Sequence, residues 1–568
     1  MYLYAVRRLF VLGILIASLR VLSSPQGPMW PSLEQQLARD NVRPESPLEA
    51  LIRENQDFGM LRAEEANDLI GIPAWLRVMW RKEHPEAVYS ANDPTGGYPR
   101  ALKDVHQWMA SHQDLKPGPP EPSSFDTSEL GKNAQMGTNL RISGAQTTPR
   151  SESDIRINFF DPTKIIAASN AIVSGGAQAM FYSSDSGATW GQTQLSFFSG
   201  DISHSDPTVD WTSDGNAWSL TLGIQHGQKL LGRAYLSTDG GATWSQDGTF
   251  SGSQNNVDKP QLWIDHSLTS PFLNNIYAIY HNGLPNFVGR RTSVGWQTPV
   301  QTSAGETTGT AIGADIKTNQ DGIVFAFWPD TGSSKIYLAK STNGGASFTT
   351  PSAVVTTFDS FDIGMPSFAS RRALIYTSSA AYKSGATNNV YTSWVDLSGE
   401  AGCTVPANEP ATNAASTCKT RIWFSGSTDG GTSWSAKKML NNQPTLNDQY
   451  NQAMTVDPVT GALGIIYYDT VGDPNRLKTD VWYQSSLDAG LTWSTPVKIT
   501  TAQTDETAPT ANSGNQYGDY NGLSGFNGIF FPSWTDRRNN AKEEIWTSKI
   551  TDIFSNFSKK RRGQITSN

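Results

Sequence analysis

One octapeptide constrains this 568-residue chain more than any other feature, because it occurs five times. Ser237-Thr-Asp-Gly-Gly-Ala-Thr-Trp244 is matched by SSDSGATW at Ser183–Trp190, STNGGASF at Ser341–Phe348, STDGGTSW at Ser427–Trp434 and SLDAGLTW at Ser486–Trp493. Each copy closes one β-rich run and begins another, which is the place of a hairpin turn. The Asp (or Asn343) can accept bonds from turn amides, and the Gly that follows can take positive φ without a Cβ clash. The terminal Trp or Phe gives the return strand a large apolar anchor. A turn this elaborate, repeated along one chain, implies a repeat architecture whose units share a core.

From Ser151 onward a unit of about fifty residues recurs, with three strands before each turn. The expected innermost strands are Asp154–Phe159, Pro207–Trp211, Pro260–Ile264, Ala314–Thr318, Met365–Ala369, Asn451–Val456 and Tyr520–Gly525. A degenerate turn is expected near Arg291-Thr-Ser-Val-Gly-Trp296, with Trp296 in the aromatic position. The last unit stops after its third strand, so a strand within Thr138–Thr148 would be needed to complete it and remove exposed sheet edges. Seven units are counted.

The S-x-D-x-G-x-T-W pattern resembles the Asp-box, or BNR repeat, of sialidases and sialidase-like β-propellers, and the resemblance spans roughly residues 150–552. It implies an all-β propeller; the count of seven units favours seven blades, and six, the number in the sialidases, is the alternative. It also implies that the box aspartates are structural, on the face away from any catalytic centre. The unit Gln516-Tyr-Gly-Asp-Tyr-Asn-Gly-Leu523 with Trp534-Thr-Asp-Arg537 is similar to a signature of secreted members of the family.

Outside the repeats the chain reads differently. Arg7 and Arg8 before an apolar run to Leu19 outline a signal peptide over residues 1–24, with an uncleaved anchor as the alternative because of Arg20. Residues 25–115 carry helical signals, including the capping box Ser46-Pro-Leu-Glu49, and suggest a small α-helical cap or pro-segment. Residues 116–150 begin with a Pro-rich linker, and 553–568 form a polar, basic tail. The two cysteines, Cys403 and Cys418, are expected to pair locally in an exported protein. A net charge of −8 argues against nucleic acid as the main partner. After signal cleavage no membrane span is expected, and the protein would be secreted, periplasmic or at the cell surface.

If the turns join third to fourth strands, the opposite face carries the starts of first strands and the ends of second strands. That face holds Asp154, Arg156, Asp201, His204, Asp206, Asp258, Lys259, Asp362, Asp448, Tyr450, Asp519, Tyr520, Asp536, Arg537 and Arg538. Carboxylates converging there could raise one another's pKa for general acid catalysis, bind Ca²⁺ through oxygen ligands, or cap turns. No cofactor is required by any of these, and no metal-ligand motif is present.

The resemblance implies a carbohydrate or glycoconjugate partner and, in an active sialidase, three arginines on the substrate carboxylate with a Tyr–Glu nucleophile pair. Ile155-Arg-Ile-Asn158 matches the family's early arginine motif at Arg156 and Ile157 and departs at both flanks. The expected catalytic candidates are Tyr520 as nucleophile, with Glu506 as its partner, and Asp206 or Asp258 as general acid. Arg156, Arg537, Lys259, His204, Asp519 and Asp536 are the expected substrate contacts. The alternatives are a non-catalytic glycan- or protein-binding propeller and a structural scaffold.

Overall fold

The computed structural model describes residues 134–144, 148–411, 416–512, 514–538 and 542–552, with His84, Gln107, Trp108 and Ser111. The expected signal peptide, most of the expected helical region and the basic tail lie outside the described residues. No helix among the described residues is long and apolar enough to cross a membrane.

Seven antiparallel sheets follow one another along the chain and form a seven-bladed β-propeller. Blade 1 runs from Arg150–Ile157 through Ile165–Ala171 and Ala179–Ser183 to Gly191–Gln194. Blades 2 to 6 start at Asp201–Trp211, Val257–Ile264, Asp315–Thr318, Ser378–Ser384 and Gln449–Val456. Blade 7 takes Gly522–Phe526, Ile529–Asp536 and Glu544–Thr547 from the C-terminal part of the chain. Its fourth strand is Leu140–Arg141, paired Leu140 to Thr547 and Arg141 to Trp546. The ring is therefore closed by the N-terminal strand that the missing edge demanded. Residues 134–141 belong to the propeller, not to the linker expected over 116–150.

One innermost strand differs from expectation. Met365–Ala369 is not a strand. It lies in a loop between Asp362–Ile363 and Ala373–Leu374, a two-stranded ribbon of its own. Met365 and Phe368 are buried, so the apolar alternation is real, but it packs against the tyrosines of blade 6 instead of a ladder. The ribbon is pinned by Arg372, which meets Asp362 and bonds Glu409 through both terminal nitrogens (2.8 and 2.5 Å). Glu409 stands inside the loop closed by the Cys403–Cys418 disulfide.

The five octapeptides all join third to fourth strands and share one hydrogen-bond pattern. In blade 2, Ser237 Oγ donates to Asp239 (2.8 Å) and accepts from the Gly241 amide (2.9 Å). Asp239 then accepts from the amide and hydroxyl of Thr243 (2.9 and 2.6 Å). The same bonds recur around Asp185, Asn343, Asp429 and Asp488. Gly241 has φ of +96°, and a Cβ there would meet Ile166 of blade 1 at 2.8 Å. The turn is thus both a cap and a backbone surface on which the preceding blade packs. Blade 3 substitutes a short hairpin, with Arg291 and Trp296 both bonding Asp247.

The core lies between neighbouring blades. Blades 1 and 2 share Ile166, Met180, Val209 and Trp211, and blades 7 and 1 share Ile155, Phe181, Phe531 and Ile545. Each such fully buried side chain contributes roughly 1.5–3 kcal/mol. The first strands ring the axis and have no ladder partner on that side, so their amides need acceptors. Side chains of the preceding blade supply them. Asp154 accepts from Val209, Thr208 from Leu262, Asp210 from Ile264, Asp315 from Ser379, Ser378 from Met454 and Ser524 from Ile157.

Candidate functional site

Four of the seven first strands carry the same irregularity. In blades 1, 2, 3 and 6 the register shifts by a bulge, near the start of the strand in blades 1, 3 and 6 and at mid-strand in blade 2. At each bulge stands a non-glycine residue with left-handed backbone: Glu152 (φ +56°), Asp206 (+55°), Lys259 (+47°) and Asn451 (+47°). Bulges re-aim side chains, and left-handed non-glycine residues persist only where surrounding structure enforces them. Here the neighbouring blades enforce them, and all four side chains face the axis.

They meet a cavity of about 240 Å³ lined by Glu152, Ser205, Asp206, Asp258, Lys259, Arg371, Tyr376 and Asp519. Below it a narrower throat of about 60 Å³ runs down the axis between the first strands. Lys259, Tyr376 and Asp519 line both, so the two adjoin, and Asn451, Tyr520 and Arg156 line the throat.

The charges in the cavity are tightly coupled. Asp206 accepts from the Lys259 amide (3.1 Å) and from Ser205 Oγ (2.8 Å). Burial, the neighbouring Asp258 and Glu152, and a hydrogen bond shared with Asp258 push its carboxyl well above the usual range. Burial pushes Asp258 up as well, but the hydrogen bond and charge of His281 outweigh it and hold Asp258 below its ordinary value. The pair is therefore an acid beside a carboxylate, with the proton on Asp206.

Lys259 stands over the Tyr520 ring at 3.5 Å and the Tyr376 ring at 5.7 Å. Burial lowers its pKa, against the pull of Asp206, Glu152, Asp519 and Asp154. Burial and the same carboxylates raise Tyr520, whose hydroxyl has no hydrogen-bond partner among the described residues.

Of the expected site residues, Asp206, Asp258, Lys259 and Asp519 share the wide cavity, and Tyr520 and Arg156 lie in the throat. Three do not face either space. Arg537 spends its guanidinium on the Asp505 carbonyl, Thr510 and Glu543. Asp536 pairs with Arg538 and accepts from the Trp534 indole. His204 is wedged between blades 1 and 2 against Tyr235 (3.1 Å), and burial lowers its pKa to about 4. Glu506 is not the partner of Tyr520. It is buried beside Glu543 and Arg537; burial and the Glu543 charge raise its pKa against the pull of Arg537. Asp201 and Asp448 likewise serve as ion-pair partners, of Arg233 and Arg476. Asp536 and Arg537, where the second strand of blade 7 ends, are thus clamps between loops, as are Asp201 and Asp448 at the starts of first strands.

Glu152, Arg371 and Tyr376 were not singled out from sequence. Glu152, Asp206, Lys259 and Asn451 all stand three residues before a buried apolar residue of the first strand (Ile155, Val209, Leu262, Met454). That spacing was a usable signal for Glu152. Arg371 had none. It reaches the cavity because the ribbon loop turns Arg372 inward to Glu409 and its neighbour outward to Asp519. Gln516 holds that loop by accepting from the Arg371 amide (2.9 Å). No group of three or more His, Cys, Asp or Glu side chains among the described residues is arranged to hold a metal ion.

No protein-family model matches the sequence, and no curated protein matches it. Among solved structures, the chain is similar to a protein of unknown function from Dyadobacter fermentans (12% identity, TM-score 0.41, covering 74% of this chain and all of that one). It is also similar to a lectin from Burkholderia pseudomallei (13%, 0.43, covering 70% and 96%) and to a Hadza microbial sialidase (13%, 0.36, covering 58% and 66%). What the axial cavity can hold is read from its own residues.

Proposed function

We propose that this chain is a glycan-directed propeller of the Asp-box type, taking one terminal sugar residue in the axial cavity. The observation that carries this is the convergence of the left-handed residues Glu152, Asp206, Lys259 and Asn451 on two adjoining axial spaces. A sugar ring offers hydroxyls that donate and accept at once. Glu152, Asp258 and Asp519 would accept from them, Lys259 and Arg371 would donate, and Tyr376 offers a ring face. Counting Asp206 as protonated, three carboxylates stand against two cations on the wall of the wide cavity. That balance suits neutral hydroxyls better than a sugar acid.

Hydrolysis is the second reading, favoured by the proton held on Asp206 beside Asp258, which suits a general acid. A sialoside is a poorer substrate for this wall. Among the described residues Arg371 is the single arginine lining the wide cavity, where a carboxylate clamp of the family's kind would need three. The Cys403–Cys418 disulfide supports export to an oxidising compartment.

The test is a glycan array probed with the purified chain and its Lys259→Met and Glu152→Gln variants, beside fluorogenic glycosides that include a sialoside. Saturable binding to glycans with neutral terminal sugars, lost in both variants, is expected. Binding confined to sialosides, or binding indifferent to both substitutions, would overturn the assignment. Turnover of a neutral glycoside that Asp206→Asn abolishes would establish the hydrolytic reading.

A further inference from the structure

Buried lysines are ordinarily paired, because an ammonium without a partner loses its hydration for nothing in return. Lys259 is 6% exposed, yet its Nζ makes no hydrogen bond and no ion pair within 4.0 Å among the described residues. Every other buried lysine or arginine that faces this space has its partner. Lys317 holds Asp315, Arg371 holds Asp519, and Arg156 lies 3.7 Å from Asp210. Lys259 instead lies against two tyrosine rings, on a strained left-handed backbone that directs it into the cavity. Asp206 accepts from the Lys259 amide and leaves the amine unbonded.

We propose that Lys259 is a nucleophilic amine that forms an imine with a small polyhydroxylated aldehyde or ketone entering the axial cavity. The Nζ lone pair attacks the carbonyl carbon, the C–N bond forms, and a proton passes from nitrogen to the former carbonyl oxygen. The hydroxyl of that carbinolamine then leaves as water, taking the proton of the Asp206 carboxyl. An iminium on Lys259 and a carboxylate on Asp206 remain, and no electrons enter or leave. Tyr520, whose ring lies under the amine and whose hydroxyl has no hydrogen-bond partner among the described residues, would donate to the carbonyl oxygen during attack. Burial supports the step by favouring the free amine, while Asp206, Glu152, Asp519 and Asp154 oppose it. The step does not depend on the cavity's resting ligand being a glycan.

The test is reductive trapping of the full chain with glyceraldehyde and cyanoborohydride across pH 6 to 9, with each lysine followed by peptide mass spectrometry. Lys259 is expected to be labelled faster than exposed lysines such as Lys498 by about tenfold or more, and to reach its half-maximal rate at lower pH. In Lys259→Arg, which keeps the charge, that one label disappears and labelling elsewhere is unchanged. Labelling of Lys259 no faster than of Lys498 throughout the range would overturn the proposal. Glycan binding on the array is non-covalent, so either result there leaves this measurement independent.

Discussion

The rim turns and the axial cavity are built from the same residue types and treat them in opposite ways. On the rim, Asp185 is exposed, bonds Ser183 and Thr189, and is held low, at a pKa of about 2, by those bonds. In the cavity, Asp206 is buried beside other carboxylates and pushed high. In the rim turns left-handed backbone falls to glycine and to the small residues Ser186 and Ala489, and around the axis it falls to Glu, Asp, Lys and Asn. The rim spends polar groups on closing the fold. The cavity keeps an amine and a phenol unbonded and bears the strain of aiming them, which is the expected pattern where stability has been traded for a site.

The comparison breaks most sharply at Gly241. A Cβ there would require positive φ of +96° and meet Ile166 and Tyr182 of blade 1 at 2.8 and 3.1 Å. Gly241→Ala is expected to cost about 2–4 kcal/mol. Denaturant unfolding would measure it. A cost below that range would mean that the turn yields more easily than its five-fold repetition implies.

Lys259→Met is the opposite experiment. Removing a buried, unpaired ammonium while keeping its bulk between Tyr520 and Tyr376 should stabilise the fold by about 1 kcal/mol. Ligand binding should be lost at the same time. A stabilised protein that binds nothing is the signature of a functional residue, whereas destabilisation would make Lys259 structural.

The difference in legibility has the same origin. Rim turns are local: Ser237, Asp239, Gly241 and Thr243 satisfy one another within seven residues, so a short pattern exposes them. The strand order, the hidden hairpin at Trp296 and the closing strand at Leu140 followed from counting units. The cavity is assembled from residues hundreds of positions apart, Glu152 and Asp519 among them, and register alone narrowed it to a face. Asp206, Asp258, Lys259 and Asp519 were within reach of that argument. His204, Asp536 and Arg537 stood on the same face but were consumed by Tyr235, Arg538 and Glu543. Whether a polar side chain is spent or spare is a tertiary fact. Arg371 and Arg372 show it best, adjacent in sequence and divided between cavity and core.

The smallest expected effect tests the rim's electrostatics, and the chain carries its own control. The folded pKa of Asp185 lies at about 2, below the ordinary 3.8. Its contribution to stability is therefore present above the ordinary value and lost as pH falls from about 4 through about 2. Asp206 has the reverse sign, since a raised folded pKa favours the folded state at low pH and loses that advantage as pH rises. In blade 4 the turn carries Asn343, whose amide oxygen accepts from the Ser347 amide at 3.0 Å and whose nitrogen donates to Ser347 Oγ at 2.8 Å. The turn thus forms without a charge. Asp185→Asn with Thr189→Ser should reproduce that blade's geometry, leave stability at pH 7 nearly unchanged, and make the acid limb of unfolding shallower between pH 4 and 2. Acid titration followed by tryptophan fluorescence reads this directly. An unchanged acid limb would place the proton uptake of acid unfolding elsewhere, and a large loss at pH 7 would show that the charge, not the cap geometry, holds the turn.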